Sequence, residues 1–185
     1  MSNPRIIGGS ARGVRLEMVP GAITRPITDR VKEALFNIIG ADIQNSRFLD
    51  LFGGTGSVGI EALSRGASFT RFLDLSPAAV RVIRKNLEKT KLTLGGEVIC
   101  IDSLVYLSSN HNEDFDYVYV APPQYKKIWL KALKLLDMHP NHLNEDGWVI
   151  VQINPIEKEP IELNQLHQFD ERIYGNTMLL FYIRN

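Results

Sequence analysis

Arg47-Phe-Leu-Asp50-Leu-Phe52-Gly53-Gly54-Thr55-Gly56-Ser-Val-Gly59 is the stretch that decides the fold. Phe48–Phe52 is an apolar run of strand length, interrupted only by Asp50, and the glycines after it demand a tight turn. A helical stretch then continues to Arg65-Gly66. Strand, glycine turn and helix in that order make the opening unit of an open parallel sheet. Downstream the alternation repeats. Phe69–Leu73 predicts a second strand ending at Asp74, and Ser76-Pro77 opens a helix with Val80, Ile83 and Leu87 on one side. Val98–Ile101 predicts a third strand ending at Asp102, and Tyr117–Val120 a fourth ending at Ala121-Pro122-Pro123. A helix from about Tyr125 to Leu136 leads to a fifth strand, Trp148–Ile153. Glu171–Tyr174 and Met178–Ile183, around Gly175-Asn176, read as an antiparallel pair closing the sheet edge. The whole predicts a mostly parallel, doubly wound α/β sheet, a class that binds ligands at the carboxyl ends of its strands.

Upstream of this sheet, Arg5-Ile6-Ile7, the turn Gly8-Gly9 and Val14-Arg15-Leu16 predict a short β-hairpin. Thr28 can cap a helix carrying Val31, Leu35 and Ile38, with Gly40 as its stop. The expected division is a hairpin-and-helix extension over 1–40 and the main domain over 41–185.

With 185 residues, 44% hydrophobic, 23% charged and a net charge of zero, the chain has the composition of a globular domain, not a disordered one. It contains no apolar run near the roughly 20 residues that span a bilayer. The opening Met1–Gly9 lacks the layout of a secretory signal, so a cytoplasmic protein is expected. Cys100 is alone, which excludes an internal disulfide and a cysteine-based metal site. His111, His139, His142 and His167 have no metal-ligand spacing, and His139-Pro-Asn-His142 reads as a surface loop. No metal is expected. The charge is uneven: residues 1–32 carry +4, from Arg5, Arg12, Arg15, Arg25, Arg30 and Lys32 against Glu17 and Asp29. Residues 137–185 carry −5. Such a basic front suits a polyanion or is simply a solvated surface.

Gly54-Thr-Gly56-Ser-Val-Gly59 spells G-x-G-x-x-G, a loop that brings the backbone close to a ligand at a helix N-terminus. Asp74 stands 20 residues past Gly54, where a carboxylate can accept from both ribose hydroxyls. Asp102 ends the next strand, where an acid can accept from an adenine amino group. Three strand ends in register point to an adenosine-containing cofactor. Between a nicotinamide dinucleotide and S-adenosylmethionine, Asp50 tips the reading to the second, because a carboxylate before the glycines attracts an ammonium group. The expected cofactor-binding set is Asp50, Phe52, Gly53, Gly54, Thr55, Gly56, Asp74, Leu75, Asp102 and Ser103.

Four stretches carry a family resemblance: Arg5-Ile-Ile-Gly-Gly-Ser-Ala-Arg-Gly13, Thr24-Arg-Pro-Ile-Thr-Asp-Arg-Val-Lys-Glu-Ala-Leu-Phe-Asn37, Leu49-Asp-Leu-Phe-Gly-Gly-Thr-Gly56 and Gly59-Ile-Glu-Ala-Leu-Ser-Arg-Gly66. Together with Tyr174-Gly-Asn-Thr177 they resemble the RsmD-like bacterial 16S ribosomal RNA guanine-N2 methyltransferases. The resemblance implies a Rossmann-like seven-stranded methyltransferase sheet with its last strand antiparallel, S-adenosylmethionine as donor, and a guanine of small-subunit rRNA, free or in an assembling 30S particle, as acceptor. It also implies that the fourth strand end does the chemistry. The family normally has Asn or Asp there, two prolines, then Tyr or Phe. This chain has Ala121-Pro122-Pro123-Gln124, followed by Tyr125. The missing Asn or Asp would have accepted a guanine N–H, and the aromatic would have stacked on the base, a contact worth about 1–3 kcal/mol. In one reading Tyr125 takes over the stacking, Gln124 and the Ala121 and Pro122 carbonyls act as acceptors, and the enzyme works. In the other the protein is a catalytically weakened RNA binder. Arg5, Arg12, Arg15, Arg25 and Arg30 are the expected RNA contacts, with Arg25 nearest the base, and Lys126, Lys127, Lys131 and Lys134 widen the basic rim.

Overall fold

A computed structural model describes residues 3–21, 27–109 and 113–184. Helix α1, Asp29–Ile39, starts where Thr28 accepts the Val31 N–H and ends at Gly40, whose φ of +66° only glycine adopts readily. Strand β1, Arg47–Asp50, leads through the glycine turn into α2, Ser57–Ser64, every residue of which is buried. Next come β2, Phe69–Asp74, and α3, Pro77–Thr90, capped by Ser76 with proline at its first position. Strand β3, Gly96–Cys100, is followed by α4, Ser103–Ser108, a short helix that the sequence pattern did not reveal. Then follow β4, Phe115–Val120, α5, Ile128–Met138, and β5, Leu143–Ile153. The expected start of α5 near Tyr125 is three residues too early, because Tyr125 and Lys127 have positive φ and cannot extend a right-handed helix. The chain ends in β6, Leu166–Tyr174, and β7, Thr177–Arg184.

The seven strands form one sheet in the order β3-β2-β1-β4-β5-β7-β6. All neighbours from β3 to β5 are parallel, and β7 runs antiparallel to both β5 and β6. This is the expected mostly parallel sheet with an antiparallel closing strand. Strand order reverses between β1 and β4, so their carboxyl ends flank the crevice where such sheets take ligands.

Alternation along β1 sorts the core into two faces. Phe48 joins Val31, Leu35, Phe36, Phe72 and Ile83 on one, while Leu49 and Leu51 join Trp129, Leu133 and Val149 on the other. The first face also takes Ile6 and Leu16 of the N-terminal segment, both fully buried. The expected hairpin is reduced to one bridge, Arg5 to Arg15, with Ile6 and Val14 paired beside it. The physical reason is that the amides of the turn are spent on α2. Ile7 and Gly8 donate to the Glu61 carboxylate, and Ser10 and Ala11 donate to Ser64. Gly9 is required there, since a Cβ would lie 1.7 Å from the Ser64 carbonyl oxygen.

His142 corrects the surface-loop expectation for 139–142. It is fully buried, its Nε2 is 3.1 Å from the Leu107 carbonyl, and its ring lies against Tyr106. Lys32, counted in the basic front, is also fully buried. Among the described residues no helix is long and apolar enough to cross a membrane.

Candidate active site

The glycine turn begins at Asp50, the last residue of β1 and 2% exposed. One carboxylate oxygen accepts the Gly59 N–H at 3.3 Å, and the other is buried without a hydrogen-bond partner. Burial pushes the Asp50 carboxyl up to about 7, Asp74 adds to the rise, and the amides of Gly59 and Phe52 oppose it in part. A buried, unpartnered carboxylate oxygen is costly by itself and is satisfied by a cationic hydrogen-bond donor. An amino acid ammonium fits that description; the apolar wall that a nicotinamide loop prefers at this position does not.

The turn is built for close approach. Gly53 donates to the Leu73 carbonyl at 2.8 Å, and a Cβ on it would meet Ile83 at 2.7 Å. Gly54 and Gly56 have φ of +55° and +78°. Half-buried Thr55 lies between them, and half-buried Phe52 packs on the second core face. Asp74, at the end of β2, is brought onto this turn. Its Oδ2 accepts the Gly54 N–H at 2.9 Å, and its Oδ1 accepts the Ser76 N–H at 2.8 Å. Leu75 beside it is 68% exposed, a large apolar side chain presented at the edge. Asp102 caps α4, accepting from Leu104 and Val105 through Oδ1 alone. Ser103 is buried, and its hydroxyl donates to the Leu51 carbonyl, which ties α4 to the end of β1. The three acids thus sit side by side at the ends of β1, β2 and β3.

Across the crevice, the end of β4 carries half-buried Ala121 and buried Pro122, followed by exposed Pro123, Gln124 and Tyr125. Tyr125 is 64% exposed and its φ is +63°. Glu157, from the turn after β5, holds it: one carboxylate oxygen accepts the Tyr125 N–H at 2.7 Å and the other accepts the Asn154 N–H. Asn154 in turn donates to the Tyr125 hydroxyl at 3.3 Å. The ring is therefore fixed at the edge by two residues that the sequence reading did not single out.

Of the expected RNA contacts, Arg12, Arg15 and Arg30 are exposed. Arg5 is paired with Asp29 at 2.6 Å, its side chain still 55% exposed. Arg25 lies outside the described residues. Lys126, Lys127, Lys131 and Lys134 are exposed, with Lys127 paired to Glu159 at 2.7 Å. Lys32 faces inward instead, 3.3 Å from Glu61, and burial lowers its ammonium pKa while Glu61 opposes the shift. Asn86 was equally unforeseen. Fully buried, it accepts the Glu17 N–H and donates to the carbonyls of Glu17 and Thr55. A legible signal existed for both: each is a polar residue set among the apolar positions of its helix, where only a bonded partner makes burial tolerable.

Two surface clefts are lined by other residues. One borders β6 and β7 at Ile161, His167 and Tyr182, and the other is at the amino ends of β1 and β4 by Ser46 and Asp116. Among the described residues no group of three His, Cys, Asp or Glu could hold a metal ion.

The sheet order, with glycine turn and acids at the parallel carboxyl edge, defines a Rossmann-like methyltransferase fold. The Escherichia coli protein yhhF, described as a candidate methyltransferase, superposes with a TM-score of 0.88 at 28% identity, covering 100% of this chain and 99% of that one. The chain belongs to the family described as Conserved hypothetical protein 95, whose model matches residues 4–183. It is 36% identical over 180 residues to Bacillus subtilis YlbH, named as a candidate rRNA methyltransferase, spanning 96% of this chain and 97% of that protein. It is 40% identical over 134 residues to ribosomal RNA small subunit methyltransferase D of Haemophilus influenzae, spanning 71% of this chain and 69% of that protein. The RsmD-like resemblance of its motifs is borne out.

Proposed function

We propose that this protein transfers a methyl group from S-adenosylmethionine to the exocyclic N2 of a guanine in small-subunit ribosomal RNA. Membership of a family with rRNA methyltransferases supports the broad activity. The single observation that carries the donor is the buried, unpartnered oxygen of Asp50 beside the Gly53–Gly56 turn. When bound, S-adenosylmethionine supplies a methyl group on a sulfonium, so the transfer disperses positive charge and needs no metal. Asp50 would hold the ammonium and Asp74 the ribose hydroxyls. Asp102, whose two amide bonds both use Oδ1, would keep Oδ2 for the adenine amino group. Leu75 would cover the adenine face.

On the acceptor side, a guanine amine is a weak nucleophile because its lone pair is delocalised into the ring. Accepting its N–H protons aligns that lone pair, and the carbonyls of Ala121 and Pro122 with the Gln124 side chain are the acceptors at this strand end. Tyr125 would stack on a base taken out of its helix, so the substrate is a loop or single-stranded guanine. Holding donor and acceptor together supplies much of the acceleration, since oriented reactants reach effective molarities of about 10⁵–10⁸ M. Arg12, Arg15 and Arg30 would bind flanking phosphates.

A second reading, an RNA-binding homologue without turnover, rests on Ala121, whose methyl side chain accepts no hydrogen bond. Mass spectrometry of nucleosides from small-subunit rRNA of cells with and without this protein separates the two. Loss of N2-methylguanosine in the deletion strain supports the transferase. Unchanged modification, together with RNA binding by the purified chain, supports the second reading.

A further inference from the structure

Gly56 is the pivot of the glycine turn, with φ of +78° at the start of α2. Its two neighbours are each gripped by a residue that is fully buried. Before it, the Thr55 carbonyl accepts the Asn86 side-chain amide at 2.8 Å. After it, the Ser57 hydroxyl accepts the Lys32 ammonium at 3.0 Å. Both grips reach the same second place, the backbone of the N-terminal segment. Asn86 accepts the Glu17 N–H at 2.7 Å and donates to the Glu17 carbonyl at 3.1 Å. Lys32 donates to the Arg5 carbonyl at 2.6 Å. Glu61 completes the arrangement, 3.3 Å from Lys32 and accepting from Ile7, Gly8 and Arg65. Residues 5–17 are thus tied to both sides of the turn.

An amide and an ammonium buried at these positions cost stability unless fully bonded, so space-filling alone would be served better by apolar side chains. Glycine backbones at Gly53, Gly54 and Gly56 are intrinsically free, and the bonds of Gly53 to Leu73 and of Gly54 to Asp74 restrain only the first half of the turn from outside it. We infer that Asn86 and Lys32 are positioning residues of the cofactor turn: by clamping Thr55 and Ser57 to the N-terminal segment, they hold the Gly53–Gly56 backbone in the form that receives the amino acid arm of S-adenosylmethionine. This rests on the cofactor assignment of the preceding section. The turn lies between Asp50, on the ammonium side, and Asp74, on the ribose side. Asp74 is bonded to the turn at Gly54 but is also held from outside it by the Ser76 N–H, so the order of the turn governs the amino acid arm more than the nucleoside. The amide and ammonium bonds do in advance what the ligand would otherwise have to do on binding.

The test compares two ligands by calorimetry on the full chain. S-adenosylhomocysteine carries the amino acid arm; 5′-methylthioadenosine has the same nucleoside thioether without it. Asn86→Asp keeps the acceptor for the Glu17 N–H but loses the donor to the Thr55 and Glu17 carbonyls. Ser57→Ala removes one acceptor of Lys32 while leaving it paired with Glu61 and the Arg5 carbonyl. Each is expected to weaken S-adenosylhomocysteine about tenfold, the factor for ordering one backbone residue on binding, and to leave 5′-methylthioadenosine within about twofold. Equal weakening of both ligands, or no change in either, overturns the inference while the cofactor assignment stands. Failure of the unsubstituted chain to bind either ligand overturns the cofactor assignment and the inference with it. Ser57→Ala alone decides the matter if Asn86→Asp does not fold.

Discussion

Asp50→Asn separates what the Asp50 carboxylate does for the fold from what it does for the ligand. The Asp50 carboxyl is raised from 3.8 to about 7, a difference of about three pH units. At about 1.4 kcal/mol per unit, the ionised group costs the ligand-free fold on the order of 4 kcal/mol. The group is 2% exposed, so solvent does little to screen that cost. Because the folded state holds its proton more tightly than the unfolded chain, the contribution of Asp50 to stability is greatest below about pH 4, falls between about pH 4 and pH 7, and is flat above. The Asp50→Asn variant has no such slope. A buried side-chain amide adds a pH-independent cost of about 1–3 kcal/mol, which cancels when the variant is compared with the parent at two pH values. Urea unfolding at about pH 4.5 and pH 8 should therefore show the variant gaining about 3 kcal/mol on the parent between them. Calorimetry should show S-adenosylhomocysteine binding lost in the variant, and weakening about tenfold per unit of pH below 7 in the parent. A stability gap that is the same at both pH values would refute the buried-carboxylate reasoning.

Asp137, at the end of α5, accepts the amides of Asn164, Gln165 and Leu166 at 2.7–3.0 Å. Burial raises its pKa, but these amide bonds outweigh it and the net shift is downward. Asp137→Ala should cost about 2 kcal/mol in urea unfolding at pH 7, because it strands those donors, with the gap narrowing as pH falls from the ordinary aspartate range through the lowered carboxyl pKa. At the RNA surface, replacing both Arg12 and Arg15 by alanine should flatten the dependence of log affinity on log salt by about 1.4 for a single-stranded RNA, read by fluorescence anisotropy. An unchanged slope would place the RNA elsewhere.

The βα alternation, the glycine turn and the three strand-end acids are all visible in the chain because each depends on local pattern: apolar periodicity for strand and helix, φ above zero for glycine, and the residue type after each strand. What pattern could not show follows from distance in sequence. Helix α4 is six residues long, too short for a periodic signal. The hairpin signal at Arg5–Leu16 was real, but its amides found partners on α2, more than 50 residues away. His142 lies just after Pro140 and looks like loop, yet Tyr106 and Leu107 of α4, a helix that packs on α5, cover it.

Local pattern in the sequence determined the sheet class and pointed to an adenosyl cofactor, since both rest on short-range rules, and the resemblance of whole motifs pointed to the family. Only the tertiary structure decided which charges are free to act. Lys32 counts as a positive charge like any other in the sequence, but folding turns it inward against Glu61 and Ser57, whereas Arg12 and Arg15 stay in solvent. Asp50 is likewise one more acid until β1, β4 and α2 close around it and raise its pKa. Burial and partners set the behaviour of a charge, and both come from segments that meet only when the chain is folded.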